Sequence, residues 1–259
     1  MKEVAWRDLN DRQLTELGEQ ALKVYGDAWM HAETEHFVYH FHDAKEAETV
    51  YIHAEAYYGW VKQMFGVKSD ETRHKSHIFI FEDRETWRSF NVRSAERLPG
   101  AEAFTNGAEL FIYREPFYLE PQRVLAHEIT HLVLARFVQG SVPLFLNEGF
   151  AEFMATKAIA MKADGDEYRV KTFQMMPPDK FIPLETLAST ENYPANLEDF
   201  YRESELLARY FLLNFGQDKF YSLLKLVAGG KTFKGALREV YRMEVGALGE
   251  KFRNYAITR

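Results

Sequence analysis

The 259-residue chain contains no cysteine. That absence excludes disulfide scaffolds, thiolate zinc sites, iron–sulfur clusters and cysteine nucleophiles, so any metal must be held by His, Asp and Glu. Long apolar runs are missing too. Arg, Lys or Glu interrupts every one within about ten residues, well short of the roughly 20 needed to span a bilayer. The formal charge is -7 with no basic cluster, which argues against nucleic acid as a partner. No Ser/Gly/Pro-rich linker, repeat or low-complexity stretch marks a boundary, so one continuous unit over 1–259 is expected. The first residues, Met-Lys-Glu-Val-Ala-Trp-Arg-Asp, lack the apolar stretch of a signal peptide. The expectation is a cytoplasmic protein, or an exported one whose leader has been removed. No feature specifies an oligomeric state.

The front of the chain mixes helix and strand signals. Leu14, Leu17, Leu22 and Val24 recur at helical spacing over 10–25. Residues 36–42 alternate, with Phe37, Tyr39 and Phe41 on one face and Val38, His40 and His42 on the other, which predicts a strand. Asp43 is placed to cap a helix running to about Phe65, where Gly66 stops it. Further strands are predicted over 77–81 and 109–113, and a short helix after Asp83. From Glu120 onward helical periodicity dominates, predicting helices near 120–138, 145–163, 199–215, 217–228, 232–242 and 244–256. Gly140, Gly216 and Gly229 to Gly230 stand where C-terminal caps belong, and Pro143 stands where a helix can start. This organisation divides the unit into a helix-plus-small-sheet part, 1–118, and a helical part, 119–259.

His127-Glu128-Ile129-Thr130-His131 is an H-E-x-x-H sequence inside an apolar-periodic segment, Val124, Leu125, Ile129, Leu132 and Val133. On a helix, residues i and i+4 share a face about 6 Å apart, so both imidazoles can hold one Zn²⁺ at roughly 2.0–2.1 Å. Glu128 projects about 100° around the helix, close to the metal but not beside it, as suits a general base. A third ligand is required. From His131 the helix can rise about 13 Å to Gly140, and a returning helix covers about 12 Å from Gly140 to Glu148. Glu148 therefore returns level with the histidines. Glu152, one turn on, could accept a hydrogen bond from a non-ligating imidazole nitrogen or be solvated.

His-Glu-Ile-Thr-His, with sixteen residues separating His131 from Glu148 in Asn-Glu-Gly-Phe-Ala-Glu, resembles the gluzincin metallopeptidases, which include thermolysin-like enzymes, the aminopeptidase N family and smaller peptidase MA-like domains. The resemblance implies an α+β, thermolysin-like catalytic domain with a small mixed sheet in its front half, a mainly helical back half and the active site between them. It implies Zn²⁺ held by His127, His131 and Glu148, with Glu128 as base and proton shuttle and a peptide or protein as substrate. Metzincins are excluded, because Leu134 and Phe137 stand where they need Gly and a third His. Thermolysin-like enzymes use a downstream histidine for the oxyanion, but His131 is the last in this chain. Tyr201 resembles the tyrosine that the aminopeptidase N family uses instead, with Tyr193 and Tyr210 as rivals.

The G-x-M-E-N segment that anchors a substrate amino group in those aminopeptidases is missing. Residues 103–107 read Ala-Phe-Thr-Asn-Gly, which favours cleavage within a peptide. Glu102 or Glu109 could substitute, although each reads more simply as a surface glutamate. By analogy the 110–113 strand is expected to be the edge that pairs with substrate. Two other readings stay open: an inactive peptide-binding module on this fold, and a zinc hydrolase of a non-peptide substrate. His36, His40 and His42 lack a carboxylate to complete a second metal site, and His53, His74 and His77 look scattered.

Overall fold

The computed structural model describes residues 3–67, 74–90, 101–113, 121–162 and 175–257. It is a mixed α+β fold with a small sheet in the N-terminal half and a helical C-terminal half. The boundary expected at 118/119 lies outside the described residues. The chain divides into two compact units, one comprising Met1–Trp60 and Ser69–Leu132, the other Val61–Lys68 and Val133–Arg259.

In the first unit, helix α1 (Glu16–Tyr25) starts later than its apolar spacing suggests. Thr15 is the reason. Its hydroxyl accepts the Gly18 N–H at 3.3 Å, while its own N–H and hydroxyl each donate to the Glu109 carboxylate at 2.6 Å. Residues 10–14 are thereby excluded from the helix. Strands β1 (Met30–Glu33) and β2 (Phe37–Phe41) follow, then helix α2 (Ala44–Met64), strand β3 (Ser76–Phe81), helix α3 (Arg84–Phe90) and strands β4 (Ala103–Asn106) and β5 (Glu109–Tyr113). Asp43 accepts the Lys45 N–H at 2.7 Å at the head of α2, and Asp83 accepts the Thr86 N–H at 2.6 Å at the head of α3.

The sheet order is β1-β2-β3-β5-β4, parallel at β2/β3 and β3/β5 and antiparallel at β1/β2 and β4/β5. All five residues of strand β2 are buried, because parallel interior strands are covered on both sides. Two expectations need correcting. The 110–113 segment is not an edge, because β4 pairs along it with Phe104 opposite Phe111. Glu109 is not a surface glutamate; it is 2% exposed and bound to Thr15.

Register also gathers histidines that are far apart in the chain. His31 faces His40, and Val38 faces His77, so His31, His40 and His77 share one face of β1, β2 and β3. His31 Nδ1 lies 2.9 Å from His40 Nδ1, and His40 Nε2 lies 2.9 Å from His77 Nδ1. Trp6 packs on the first two rings, at 5.3 Å and 5.8 Å. The same face continues into an aromatic core of Trp29, Phe79, Phe81, Trp87 and Phe111. Thus His40 joins neither His36, which meets Glu55 at 2.6 Å, nor His42, and His77 is not an isolated histidine.

The second unit is built from the end of helix α4 (Pro121–Phe137), helix α5 (Leu144–Lys162), the short helix α6 (Leu184–Ala188) and helices α7 (Leu197–Phe215), α8 (Gln217–Ala228), α9 (Phe233–Tyr241) and α10 (Val245–Ile257). The strong helical periodicity predicted all of these but α6, which is only five residues long. Helix α5 packs along α7.

Burial holds the histidine row neutral. It lowers His31, lowers His40 well below the ordinary range with help from His77 and His31, and brings His77 down to about 4, against the pull of Asp11. For a depressed histidine, the unfolded chain binds the extra proton first. Its contribution is therefore complete above about pH 6.5 and is lost as pH falls toward the folded value. Urea unfolding should show wild type losing about 2 kcal/mol more than His77→Gln between pH 6.5 and 4.5; parallel curves would show that His77 does not titrate in this way.

Candidate metal centre

Helix α4 carries His127, Glu128 and His131, and the features around it hold it in place. The side chain of Gln122 lies 2.7 Å from His53 Nε2 on α2. On its buried side are Leu125, Ala126, Ile129, Leu132 and Val133. At its far end the Phe137 carbonyl accepts the Tyr221 hydroxyl at 3.1 Å. Gly140, with φ +113, then turns the chain, and a Cβ there would sit 2.1 Å from the Ala228 carbonyl oxygen, so no other residue fits without displacing backbone. After Pro143, whose carbonyl accepts the Leu146 N–H at 3.0 Å, α5 begins.

Helix α5 carries Glu148, Gly149 and Glu152. Gly149 is the contact point with α7, since a Cβ on it would lie 2.2 Å from the Ser204 carbonyl oxygen. Around it Phe150, Ala151, Met154 and Ala155 are buried. Glu148 is thus attached to a helix whose position is set by backbone-to-backbone approach, which leaves little freedom for its Cα.

Among the described residues, His127, His131 and Glu148 form the one group of three with ligand atoms that all lie within 4.8 Å of one another. The two imidazole Nε2 atoms are 3.0 Å apart and the rings are nearly perpendicular, at 76°. Two nitrogens bound to one tetrahedral Zn²⁺ at about 2.05 Å would be roughly 3.3 Å apart, so a slight opening of the pair accommodates the ion. The donor set suits that ion: two borderline nitrogens and one carboxylate leave a fourth position open. Burial supports the same reading. Glu148, beside the two imidazoles, is only 3% exposed, and a carboxylate held out of water is stabilised by a dication; Glu128 and Glu152 are also buried, at 8% and 7%.

The model of the Peptidase MA superfamily matches residues 64–258. The chain belongs to the Peptidase MA superfamily. No individual curated protein matches it. Membership of this superfamily suggests metallopeptidase activity, and the match takes in the H-E-x-x-H helix, the turn, α5 and α7. No helix among the described residues of this superfamily member is long and apolar enough to cross a membrane.

The other expected residues fall as follows. Glu152 lies one helical turn beyond Glu148 and is buried. Tyr201, in the second turn of α7, has its ring 6.3 Å from that of Tyr193, and the Tyr193 hydroxyl donates to Glu148 Oε1 at 2.8 Å. Tyr210 packs among Phe211, Phe215, Phe252 and Tyr255 and belongs to the core. The Tyr193 contact with Glu148 was not foreseen. Forty-five residues separate the pair and residues 189–196 form neither helix nor strand, so no periodicity signals it.

Replacing Gly149 with Ala tests whether close helix approach sets the site. Gly149→Ala should destabilise the protein by about 1–3 kcal/mol and weaken metal binding together, because relieving the overlap moves α5. Chemical denaturation and a zinc titration of the same variant check this; unchanged values for both would show that the contact is slack.

Proposed function

We propose that this protein is a zinc-dependent peptidase of gluzincin type, akin to the thermolysin and aminopeptidase N families, that cleaves within peptides. The observation that carries the reading is the convergence of His127, His131 and Glu148 on one point, with Glu128 on the same helix as the histidines. When bound, Zn²⁺ would supply Lewis-acid polarisation of the scissile carbonyl and bring the pKa of a coordinated water to near 7. The residues then have separate tasks. Glu128 takes a proton from the attacking water and delivers it to the departing amine, so the same carboxylate acts first as base and then as acid. Tyr201 donates a hydrogen bond to the oxygen that becomes negative in the tetrahedral intermediate. Glu152 accepts from the outward imidazole N–H and holds the ring orientation.

Two observations favour internal cleavage over removal of N-terminal residues. Glu109, one of the two glutamates flanking the position of the missing amino-group anchor, is buried and engaged by Thr15 at the start of α1. Among the described residues no strand pairs along the outer side of the edge strand β4, Ala103–Asn106, an arrangement suited to an extended chain, which a peptide longer than a few residues would supply.

Glu128→Gln should keep wild-type zinc content and lose at least about 100-fold in turnover of internally quenched peptides, since the amide cannot accept the proton. Retained turnover would remove Glu128 as base. Tyr201→Phe should lower kcat by about 10²–10³ with little change in KM, as expected for a donor used mainly in the transition state; a rise in KM alone would assign Tyr201 to substrate binding.

A further inference from the structure

We propose that Tyr193 is a positioning residue for Glu148, holding the carboxylate in its ligating orientation before the metal arrives. The inference rests on the reading of His127, His131 and Glu148 as metal ligands. A glutamate has three side-chain torsions to restrict, and a ligand that must be ordered on each binding event weakens the site. Here the ordering is built in. The Tyr193 hydroxyl donates to Glu148 Oε1 at 2.8 Å, and Glu148 itself is 3% exposed. Phenol-to-carboxylate is a charge-assisted hydrogen bond in a poorly hydrated place, and it occupies a single lone pair of the carboxylate.

The chain around Tyr193 is irregular but anchored on both sides. Upstream, Glu203 of α7, which has no exposed surface, accepts the Ile182 N–H at 2.7 Å. The hydroxyls of Ser189 and Thr190 both donate to the Thr186 carbonyl, at 2.9 Å and 3.0 Å, tying the chain to the end of α6. Downstream, Asn196 caps α7 by accepting the Asp199 N–H and donating to the Asp199 carboxylate. Lys180, on the upstream side, meets the same carboxylate at 3.6 Å. Two buried acidic side chains of α7, Glu203 and Asp199, therefore fix both approaches to the residue that fixes Glu148. A segment with no tertiary task would not be held by two side chains that are costly to bury.

The test uses the full chain stripped of metal by a chelator and titrated with Zn²⁺ against a competing chromophoric chelator. Tyr193→Phe should raise the zinc Kd by about 10–100-fold, the usual consequence of losing a partner of a metal ligand. In a Glu148→Ala background the same change should have less than a threefold effect, because Tyr193 then has nothing to hold. The visible spectrum of the Co²⁺ form should also differ between wild type and Tyr193→Phe, which a merely structural loss would not produce. A Tyr193→Phe Kd within threefold of wild type, or an equal loss with and without Glu148, overturns the proposal while leaving the metal site intact. Failure of wild type to bind zinc overturns both.

Discussion

Three glutamates on two successive helices are withdrawn from water, and the surrounding structure is arranged around that fact. Glu128, Glu148 and Glu152 together would impose a heavy desolvation cost on any ordinary helix pair. A divalent cation held by His127, His131 and Glu148 would offset part of that cost by supplying a compensating positive charge. The placement of Glu148 and Glu152 depends on a short turn that only glycine can make at Gly140 and on the close approach of α5 to the Ser204 carbonyl at Gly149. Both glycines serve backbone geometry, and through it they set where Glu148 can stand.

The two units solve different problems. In the first, parallel pairing of β2, β3 and β5 produces strands buried on both faces, which accounts for the runs Phe-Val-Tyr-His-Phe and Ser-His-Ile-Phe-Ile-Phe. The histidines in those runs meet along the sheet, His40 Nε2 against His77 Nδ1, instead of reaching for solvent. In the second, α7 carries Tyr201 and the irregular segment before it carries Tyr193. The buried acids of α7 are part of the support. Burial, with Asp199 adding to it, pushes Glu203 up to about 8, so it is protonated near neutral pH while Ile182 donates to it.

Much of this was legible in the sequence because the relevant signals are local. The H-E-x-x-H helix, the glycine turn and the returning glutamate follow from helical rise alone, and the structure brings together the same three side chains. The late helices lie within a few residues of their periodicity because apolar spacing and capping glycines agree there. What escaped depends on contacts between distant segments. Strands β1 and β4 are four residues each, too short for alternation to register, yet β4 takes the edge from β5. The row of His31, His40 and His77 exists only once register is set. Glu109 looked exposed because nothing nearby in sequence predicts Thr15 as its partner, and Tyr193 gained its place beside Glu148 through an irregular segment with no pattern to read.

The central claim is that one ion occupies the point shared by His127, His131 and Glu148. X-ray absorption at the zinc edge, on protein loaded with one equivalent, tests it most directly. The account predicts a single four-coordinate zinc with two imidazole nitrogens at roughly 2.0–2.1 Å and oxygen for the remainder, losing one imidazole in His131→Ala. A six-coordinate, all-oxygen shell, or a spectrum unchanged by His131→Ala, would contradict it.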